Sequence, residues 1–179
     1  MIYTKTALAG VVIIDIEKIE DERGFFAYSF DAKEAVSNGV NLNFVQSKIS
    51  FNHKKGTIRG MHLQIAPSTE IKLIRCTRGA IHDVIVDVRP GSSTYGKHIA
   101  VELSADNHRA LFVPELFAHG YQTLRDSTEV TYQVNTVYAP ACERGLRHDD
   151  PLLGIHWPLP VSLISPKDRN WPSLSFDPS

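Results

Sequence analysis

The sequence contains little cysteine and no long apolar run. Among its 179 residues, Cys76 and Cys142 are the two cysteines, and they are too far apart for a CxxC or paired metal-ligand motif. We therefore expect two reduced thiols in a reducing compartment rather than a disulfide. No apolar stretch approaches the roughly 20 residues that cross a bilayer, and residues 1–5 lack the apolar region of a signal peptide. These features predict a cytoplasmic protein that does not enter a membrane.

An excess of either charge is also absent. The chain carries 19 Lys+Arg and 20 Asp+Glu, which gives a formal net charge of −1. Because a sequence-independent nucleic-acid binder has a basic excess, we expect no nucleic-acid partner. Hydrophobic residues make up 42% of the chain, which suffices for one sizeable core at this length. We expect a single domain over residues 1–179, with a loosely ordered Pro- and Ser-rich end from about residue 170.

Short runs rich in Val, Ile, Thr and aromatic residues, each closed by Gly, Pro, Asn or Asp, indicate strands joined by turns. The predicted strands are residues 11–19, 25–30, 44–51, 57–64, 71–76, 80–88, 98–103 and 129–134. This many strands with few helices predicts an all-β sandwich or barrel. One helix is predicted at residues 31–38, where Asp31 caps the first turn and Gly39 ends it.

Alternation along the strands indicates which side chains point inward. Tyr132 shares a face with Val130 and Val134, so we expect its hydroxyl to lie inside the fold and to need a partner or a function. Lys72 either points inward, where an unpaired ammonium is costly, or lies on an edge strand and discourages aggregation. Asp83 is either the ion-pair partner of Lys72 or a solvated charge.

Arg59 and His62 lie three positions apart around Gly60. On a regular strand these two side chains point to opposite faces. Both reach one cavity only if Gly60 permits a bulge or a strong twist. The alternative is a surface arginine beside a buried, hydrogen-bonded histidine.

A cupin-type metal site is another interpretation of the same segment. Such a site uses a His-x-His pair, a following carboxylate and a later histidine. Here the position two residues after His62 is Gln64, while His119 and Glu70 are the remaining candidates. Because these candidates have no paired spacing, we expect no metal.

The order of nine motifs is more specific than any single residue. The motifs are DERGFF at 21–26, FVQ at 44–46, IRGMHLQ at 58–64, KLIR at 72–75, RGAIHD at 78–83, VELS at 101–104, FAHG at 117–120, YAP at 138–140 and ERGLR at 143–147. Together they resemble the dTDP-4-dehydrorhamnose 3,5-epimerase family of nucleotide-sugar epimerases, from residue 10 to about residue 169. The resemblance implies a cupin-type jelly-roll β-barrel or sandwich with a few short helices. It also implies an isomerase without a metal or other cofactor, and a homodimer in which an amino-terminal strand crosses to the partner.

The substrate implied by this resemblance is a nucleoside-diphosphate 4-keto-6-deoxyhexose, with dTDP as the expected nucleotide, and the pathway is deoxysugar biosynthesis. His62 matches the family's general base, and Asp168 matches the carboxylate that orients it. Lys72 matches the cation that stabilises the enolate, and Tyr132 matches the acid on the opposite face. The positions that match substrate-binding residues are Arg23, Phe26, Gln46, Lys48, Arg59, His119 and Glu143.

Two positions depart from the family pattern and leave the nucleotide open. Tyr28 stands where the family usually has glutamate, and Lys48 stands where it usually has asparagine. CDP-, GDP- or UDP-linked sugars are therefore alternatives to dTDP, and a mono-epimerase acting at C3 or C5 alone is an alternative to double epimerisation. Outside this chemistry, the alternatives are a non-catalytic sugar-nucleotide binder and a metal-dependent cupin oxygenase or isomerase.

Overall fold

The β-rich pattern of the sequence produces fourteen strands and very little helix in the structure, a computed structural model that describes residues 1–175. The elements in chain order are β1 (Ile2–Lys5), β2 (Val12–Asp15), β3 (Ile19–Asp21), β4 (Gly24–Phe26), α1 (Ala32–Ser37), β5 (Gln46–Asn52), β6 (Thr57–Gln64), β7 (Lys72–Arg78), β8 (Ala80–Asp87), β9 (His98–Ser104), β10 (Ala110–Val113), β11 (Phe117–Thr123), β12 (Thr128–Val134), a 3-10 helix (Pro140–Cys142), β13 (Glu143–Gly145), β14 (Leu163–Ile164) and α2 (Pro166–Arg169).

Most of these strands form two sheets with a shared core. The first sheet has the order β1-β2-β10-β7-β12-β5, and the second has the order β13-β6-β11-β8-β9 with β14 added to β6. Apolar side chains from both sheets, among them Ile74, Ile85 and Phe117, form one buried cluster. Because each strand directs alternate side chains to this core, the predicted all-β sandwich is confirmed.

The local sequence patterns correctly predicted the central strands and the first helix. The predicted strand at 57–64 coincides with β6, and the predicted helix contains α1. The backbone N–H of Glu34 donates to Asp31 Oδ1 at 2.8 Å, which is the expected cap, and Gly39 follows the helix with a φ of +79°. Ala35 of this helix packs on the face of the first sheet that points away from the shared core.

Other boundaries differ from the prediction. The strand predicted at 11–19 divides into β2 and β3, because the exposed Glu17 and Lys18 interrupt the apolar pattern. The strand predicted at 25–30 ends early, at Phe26. Five strands that the sequence did not predict are β1, β10, β11, β13 and β14. Of these, β11 matters most because it carries His119 and all of its residues are buried.

Both cysteines are buried free thiols, as predicted. Burial raises the pKa of Cys76 to about 11, which makes its thiol unreactive near neutral pH. Leu174 packs in a core cluster with Met61 and Leu63, so residues 170–175 are not the loose end that composition suggested. The rest of that predicted tail, residues 176–179, lies outside the described residues. Within residues 1–175 we find no helix with the length and apolar character needed to cross a membrane.

Candidate active site

One cavity of about 690 Å³ is lined by strands of both sheets and by the segment around α2. Eight of the residues predicted to form the site line it: Lys48, Arg59, His62, Lys72, His119, Tyr132, Glu143 and Asp168. They are spread over more than a hundred positions of sequence. The two-sheet architecture is therefore what brings them together.

The irregular pairing of β6 with β11 allows Arg59 and His62 to share this cavity. Gly60 has a φ of +122°, and a Cβ atom built on it would lie 2.4 Å from the Gly120 Cα. The register between β6 and β11 shifts just beyond His119. This is the bulge that the sequence required if both side chains were to reach one site, and both of them line the cavity.

His62 is paired with a carboxylate whose position is fixed by α2. The Asp168 backbone N–H donates to the Ser165 hydroxyl that caps this short helix, and His62 Nε2 lies 2.6 Å from Asp168 Oδ1. Burial acts to raise the pKa of Asp168, but hydrogen bonds from His62 and from the Gly60 N–H hold it below its usual value. Because an ionised carboxylate can only accept, Nε2 of His62 carries a proton. The lone pair of the neutral imidazole is therefore on Nδ1, where it can accept a proton from a substrate.

Lys72 points inward, and its partner is Glu70. Lys72 is 7% exposed, and its Nζ lies 2.8 Å from Glu70 Oε2. The prediction that Asp83 pairs with Lys72 or is solvated was wrong. The other Glu70 oxygen accepts a hydrogen bond from Lys48 Nζ at 2.9 Å. Although burial opposes ionisation, the two ammonium groups hold the pKa of Glu70 below its usual value.

Asp83 instead pairs with His119. Their Oδ1 and Nε2 atoms are 2.6 Å apart, and burial raises the pKa of the fully buried Asp83 above its usual value. In the strand pairing, His119 lies directly opposite His62. The second sheet therefore presents two imidazoles to the cavity, each backed by an aspartate.

Tyr132 comes from the first sheet, opposite the imidazoles. Burial and the neighbouring Tyr121 hydroxyl hold the pKa of Tyr132 well above its usual value, so its phenol stays protonated at neutral pH. Its ring is edge-on to His119, with ring centroids 6.0 Å apart. His62 and Tyr132, the residues predicted to be the base and the acid, thus belong to opposite sheets that line the same cavity.

A hydrogen-bonded chain fixes Arg59 at the cavity wall. Arg59 Nε donates to Asn52 Oδ1 at 2.8 Å. Asn52 Nδ2 donates to the Tyr121 hydroxyl at 3.1 Å, and Ser50 lies 3.0 Å from the same hydroxyl. Sequence reasoning missed Ser50 and Tyr121, because their role depends on contacts between β5 and β11.

Glu143 and Gln46 both accept hydrogen bonds from Tyr138, which lines another side of the cavity. Glu143 Oε2 accepts hydrogen bonds of 2.6 Å from the Tyr138 hydroxyl and from Lys167 Nζ. Gln46 is not on the cavity surface, but its Oε1 accepts a 3.2 Å hydrogen bond from the Tyr138 N–H. Lys167 was also missed, although its place beside Asp168 was a usable signal.

Two predicted binding residues, Arg23 and Phe26, lie outside the cavity of this chain. Arg23 has a side chain that is 85% exposed and is paired with Asp21, and Phe26 is 61% exposed. Both belong to the β3–β4 hairpin, whose two strands pair with each other and form a separate sheet. A single chain therefore does not place them at the site.

The candidate metal ligands are engaged in other contacts. His62 is bound to Asp168, and His119 to Asp83. Glu70 is held by two lysines. Within the described part of the chain, no three His, Cys, Asp or Glu side chains form a group that could hold a metal ion.

With this geometry in place, the chain can be compared with known proteins. The sequence profile of dTDP-4-dehydrorhamnose 3,5-epimerase matches residues 5–175. The chain belongs to the dTDP-4-dehydrorhamnose 3,5-epimerase family. A Sinorhizobium fredii protein of this name is 43% identical over 175 residues, which cover 97% of this chain and 90% of the relative. The predicted family and the isomerase class are therefore confirmed.

Solved structures of the family share the fold. The dTDP-4-dehydrorhamnose 3,5-epimerase of Bacillus anthracis, with TDP and PPi bound, is 40% identical with a TM-score of 0.93, covering 96% of this chain and 98% of its own. A Legionella pneumophila dTDP-6-deoxy-D-glucose-3,5-epimerase in complex with dTDP-4-keto-L-rhamnose is 37% identical with a TM-score of 0.88, covering 96% and 91%. These likenesses confirm the predicted cupin-like β-sandwich.

Proposed function

We propose that this enzyme inverts C3 and C5 of a dTDP-linked 4-keto-6-deoxyhexose in deoxysugar biosynthesis. The observation that carries the proposal is the placement of the His62–Asp168 pair and of Tyr132 on opposite sheets around one cavity, with Lys72 in the same wall as Tyr132. The ligands of the Bacillus and Legionella relatives, TDP and dTDP-4-keto-L-rhamnose, support the choice of nucleotide.

The reaction needs no electron transfer, because C3 and C5 both adjoin the C4 ketone. His62 Nδ1 removes the proton from one of these carbons, and the C–H electron pair moves to the C4 oxygen as an enolate. The Lys72 ammonium stabilises the developing negative charge. Tyr132 then donates its proton to the opposite face of the same carbon, which inverts it. Solvent then takes the proton from His62 and returns one to the Tyr132 phenolate, after which a second round at the other carbon uses the same groups.

The substrate-binding residues surround this centre. Arg59, whose planar guanidinium suits two phosphate oxygens, holds the diphosphate. Lys48, His119 and Glu143 contact the substrate from the cavity wall, and Gln46 acts by holding Tyr138.

The working unit is a homodimer in the cytoplasm, whose reducing environment suits the free thiols of Cys76 and Cys142. The β3–β4 hairpin and the chain after it expose large apolar side chains at Ile19, Phe26 and Tyr28, a pattern typical of an interface. The hairpin crosses to a second copy and places its Arg23 and Phe26 in that copy's cavity. There Arg23 leaves its ion pair with Asp21 and binds a substrate phosphate instead.

The direct test is incubation of the purified protein with dTDP-4-keto-6-deoxyglucose in heavy water, followed by NMR. We expect deuterium and inversion at both C3 and C5. Calorimetric titration with dTDP, UDP, CDP and GDP is expected to give the tightest binding for dTDP, and the variants Lys48→Asn and Tyr28→Glu show whether these two positions set that preference. Inversion confined to one carbon would establish a mono-epimerase, and no exchange at either carbon would refute the proposal.

The shared site predicts recovery of activity when an impaired variant and an inactive variant are combined. Arg23→Ala should lower kcat/KM at least about tenfold through loss of a charge-assisted contact, and His62→Ala should be inactive. In a co-expressed mixture, half of the dimers contain both chains, and each of these has one intact site made of His62 from one chain and Arg23 from the other. Activity should therefore return to about a quarter of the wild-type value.

A second mixture, of two variants altered in the same cavity, is the control for that recovery. His62 and Tyr132 line the cavity of the same chain, so a mixture of His62→Ala with Tyr132→Phe should recover nothing. Absence of recovery with Arg23→Ala as well would show that Arg23 does not act across the dimer.

A further inference from the structure

Glu70 is a buried carboxylate held between two lysines at the cavity wall. It is 8% exposed, and its two oxygens accept from Lys48 Nζ at 2.9 Å and from Lys72 Nζ at 2.8 Å. All three residues line the cavity. A buried ion is tolerated only when it is paired and hydrogen-bonded, and both oxygens of Glu70 meet that condition.

Strand pairing explains how one carboxylate reaches both ammonium groups. Lys48 on β5 is paired with Tyr132 on β12, and Lys72 on β7 is paired with Val134 on the other side of the same strand. The two lysines thus approach each other across β12, next to the phenol that faces the substrate. Glu70, two residues before Lys72, lies between them.

The net charge of Lys48, Glu70 and Lys72, taken together as one set, determines the charge that the bound substrate faces. A Lys72–Glu70 pair alone is neutral, so Glu70 would cancel much of the positive charge that an enolate needs. With Lys48 on the second oxygen, the set of three carries a net charge of +1. Building on the proposed function, we infer that Glu70 is a positioning residue for Lys72 and that Lys48 supplies the positive charge which Glu70 would otherwise cancel.

This inference gives Lys48 a role that differs from a nucleoside contact. A residue that only touched the nucleoside would change the affinity for dTDP and the KM. A residue that sets the charge beside the C4 oxygen changes kcat, because the enolate forms only as the reaction proceeds. The two roles therefore separate in kinetics and in binding of dTDP, which has no sugar ketone.

The test is a double-mutant cycle of Lys48→Asn and Glu70→Gln, with kcat, KM and dTDP affinity measured for each variant. Lys48→Asn leaves the set neutral, and Glu70→Gln leaves two ammonium groups without their shared anchor. We expect each single variant to lose at least about tenfold in kcat with a smaller change in dTDP affinity. The double variant regains the net charge of +1, so its kcat should exceed the product of the single effects by about tenfold.

Two controls accompany the cycle. Lys54→Asn changes an exposed lysine outside the cavity lining and should behave like the wild type, and thermal unfolding shows that each variant is folded. Independent, multiplying losses of kcat on an active wild-type enzyme would overturn the inference and leave the proposed function standing. A wild-type protein that exchanges no substrate protons would overturn both.

Discussion

Replacing His62 by alanine should abolish the exchange of substrate protons at C3 and C5 with solvent. His62 is the cavity imidazole whose Nε2 is occupied by an ionised aspartate, and this leaves Nδ1 as the proton acceptor. General base catalysis contributes about 10²–10⁴-fold, so exchange should fall by at least about 10²-fold. The measurement is the decay of the two proton signals by NMR in heavy water.

The companion variant Asp168→Asn tests the basis of that assignment. An amide removes the negative charge that fixes the Nε2–H tautomer and stabilises the imidazolium. Exchange should therefore fall strongly even though His62 is still present. His53→Ala, which changes an exposed histidine outside the cavity, is the matched control. If His62→Ala still introduced deuterium at the wild-type rate, another residue would be the base.

The parts of the fold that the sequence predicted are those with strong local signals. Residues 57–64 form β6 as expected, and Asp31 and Gly39 mark the ends of the single predicted helix. By contrast, β11 was missed, because Ala118 and Gly120 interrupt the β-branched pattern that marks a strand. Strand β11 pairs with β6 on one side and with β8 on the other, and these contacts cannot be read from the local sequence.

The family motifs predicted residues that line one cavity, whereas contacts between distant residues could not be predicted from the sequence. The spacing of Arg59 and His62 could not decide between one face and two, since the bulge at Gly60 packs closely against Gly120 of another strand, a contact that the local sequence does not show. Likewise, alternation left open whether Lys72 points inward or lies on an edge strand, and it could not identify the partner of Lys72. Glu70, in the loop before β7, reaches Lys72, whereas Asp83 is taken by His119.

Arg23 and Phe26 show a different limit. Their motif predicts a binding role, yet a single chain leaves both residues exposed on a separate hairpin. Sequence motifs report what a position does in the working assembly and do not report which copy of the chain supplies it. The mixed-variant experiment with Arg23→Ala therefore decides whether this hairpin acts in the cavity of the second copy.

Replacing Tyr132 by phenylalanine should separate proton exchange from inversion. The variant keeps His62, Asp168 and Lys72, so the enolate still forms and the C3 and C5 protons still exchange. Without the phenol on the opposite sheet, the enolate recovers its hydrogen from His62, on the face that lost the proton, after the protonated imidazole has exchanged that proton for a deuteron from heavy water. The substrate should therefore acquire deuterium while its configuration is retained, and inversion should fall by about 10²–10⁴-fold.

NMR distinguishes these outcomes, because deuterium uptake removes a proton signal and inversion changes the couplings of the neighbouring protons. Tyr3→Phe, on β1 and outside the cavity lining, is the control for loss of a tyrosine hydroxyl. Inversion that kept pace with exchange in Tyr132→Phe would identify a different acid, and His119, whose ring lies edge-on to Tyr132, would be the first candidate. Exchange lost together with inversion would instead show that Tyr132 is needed to form the enolate. Exchange without inversion is expected only if the base lies on one sheet and the acid lies on the other.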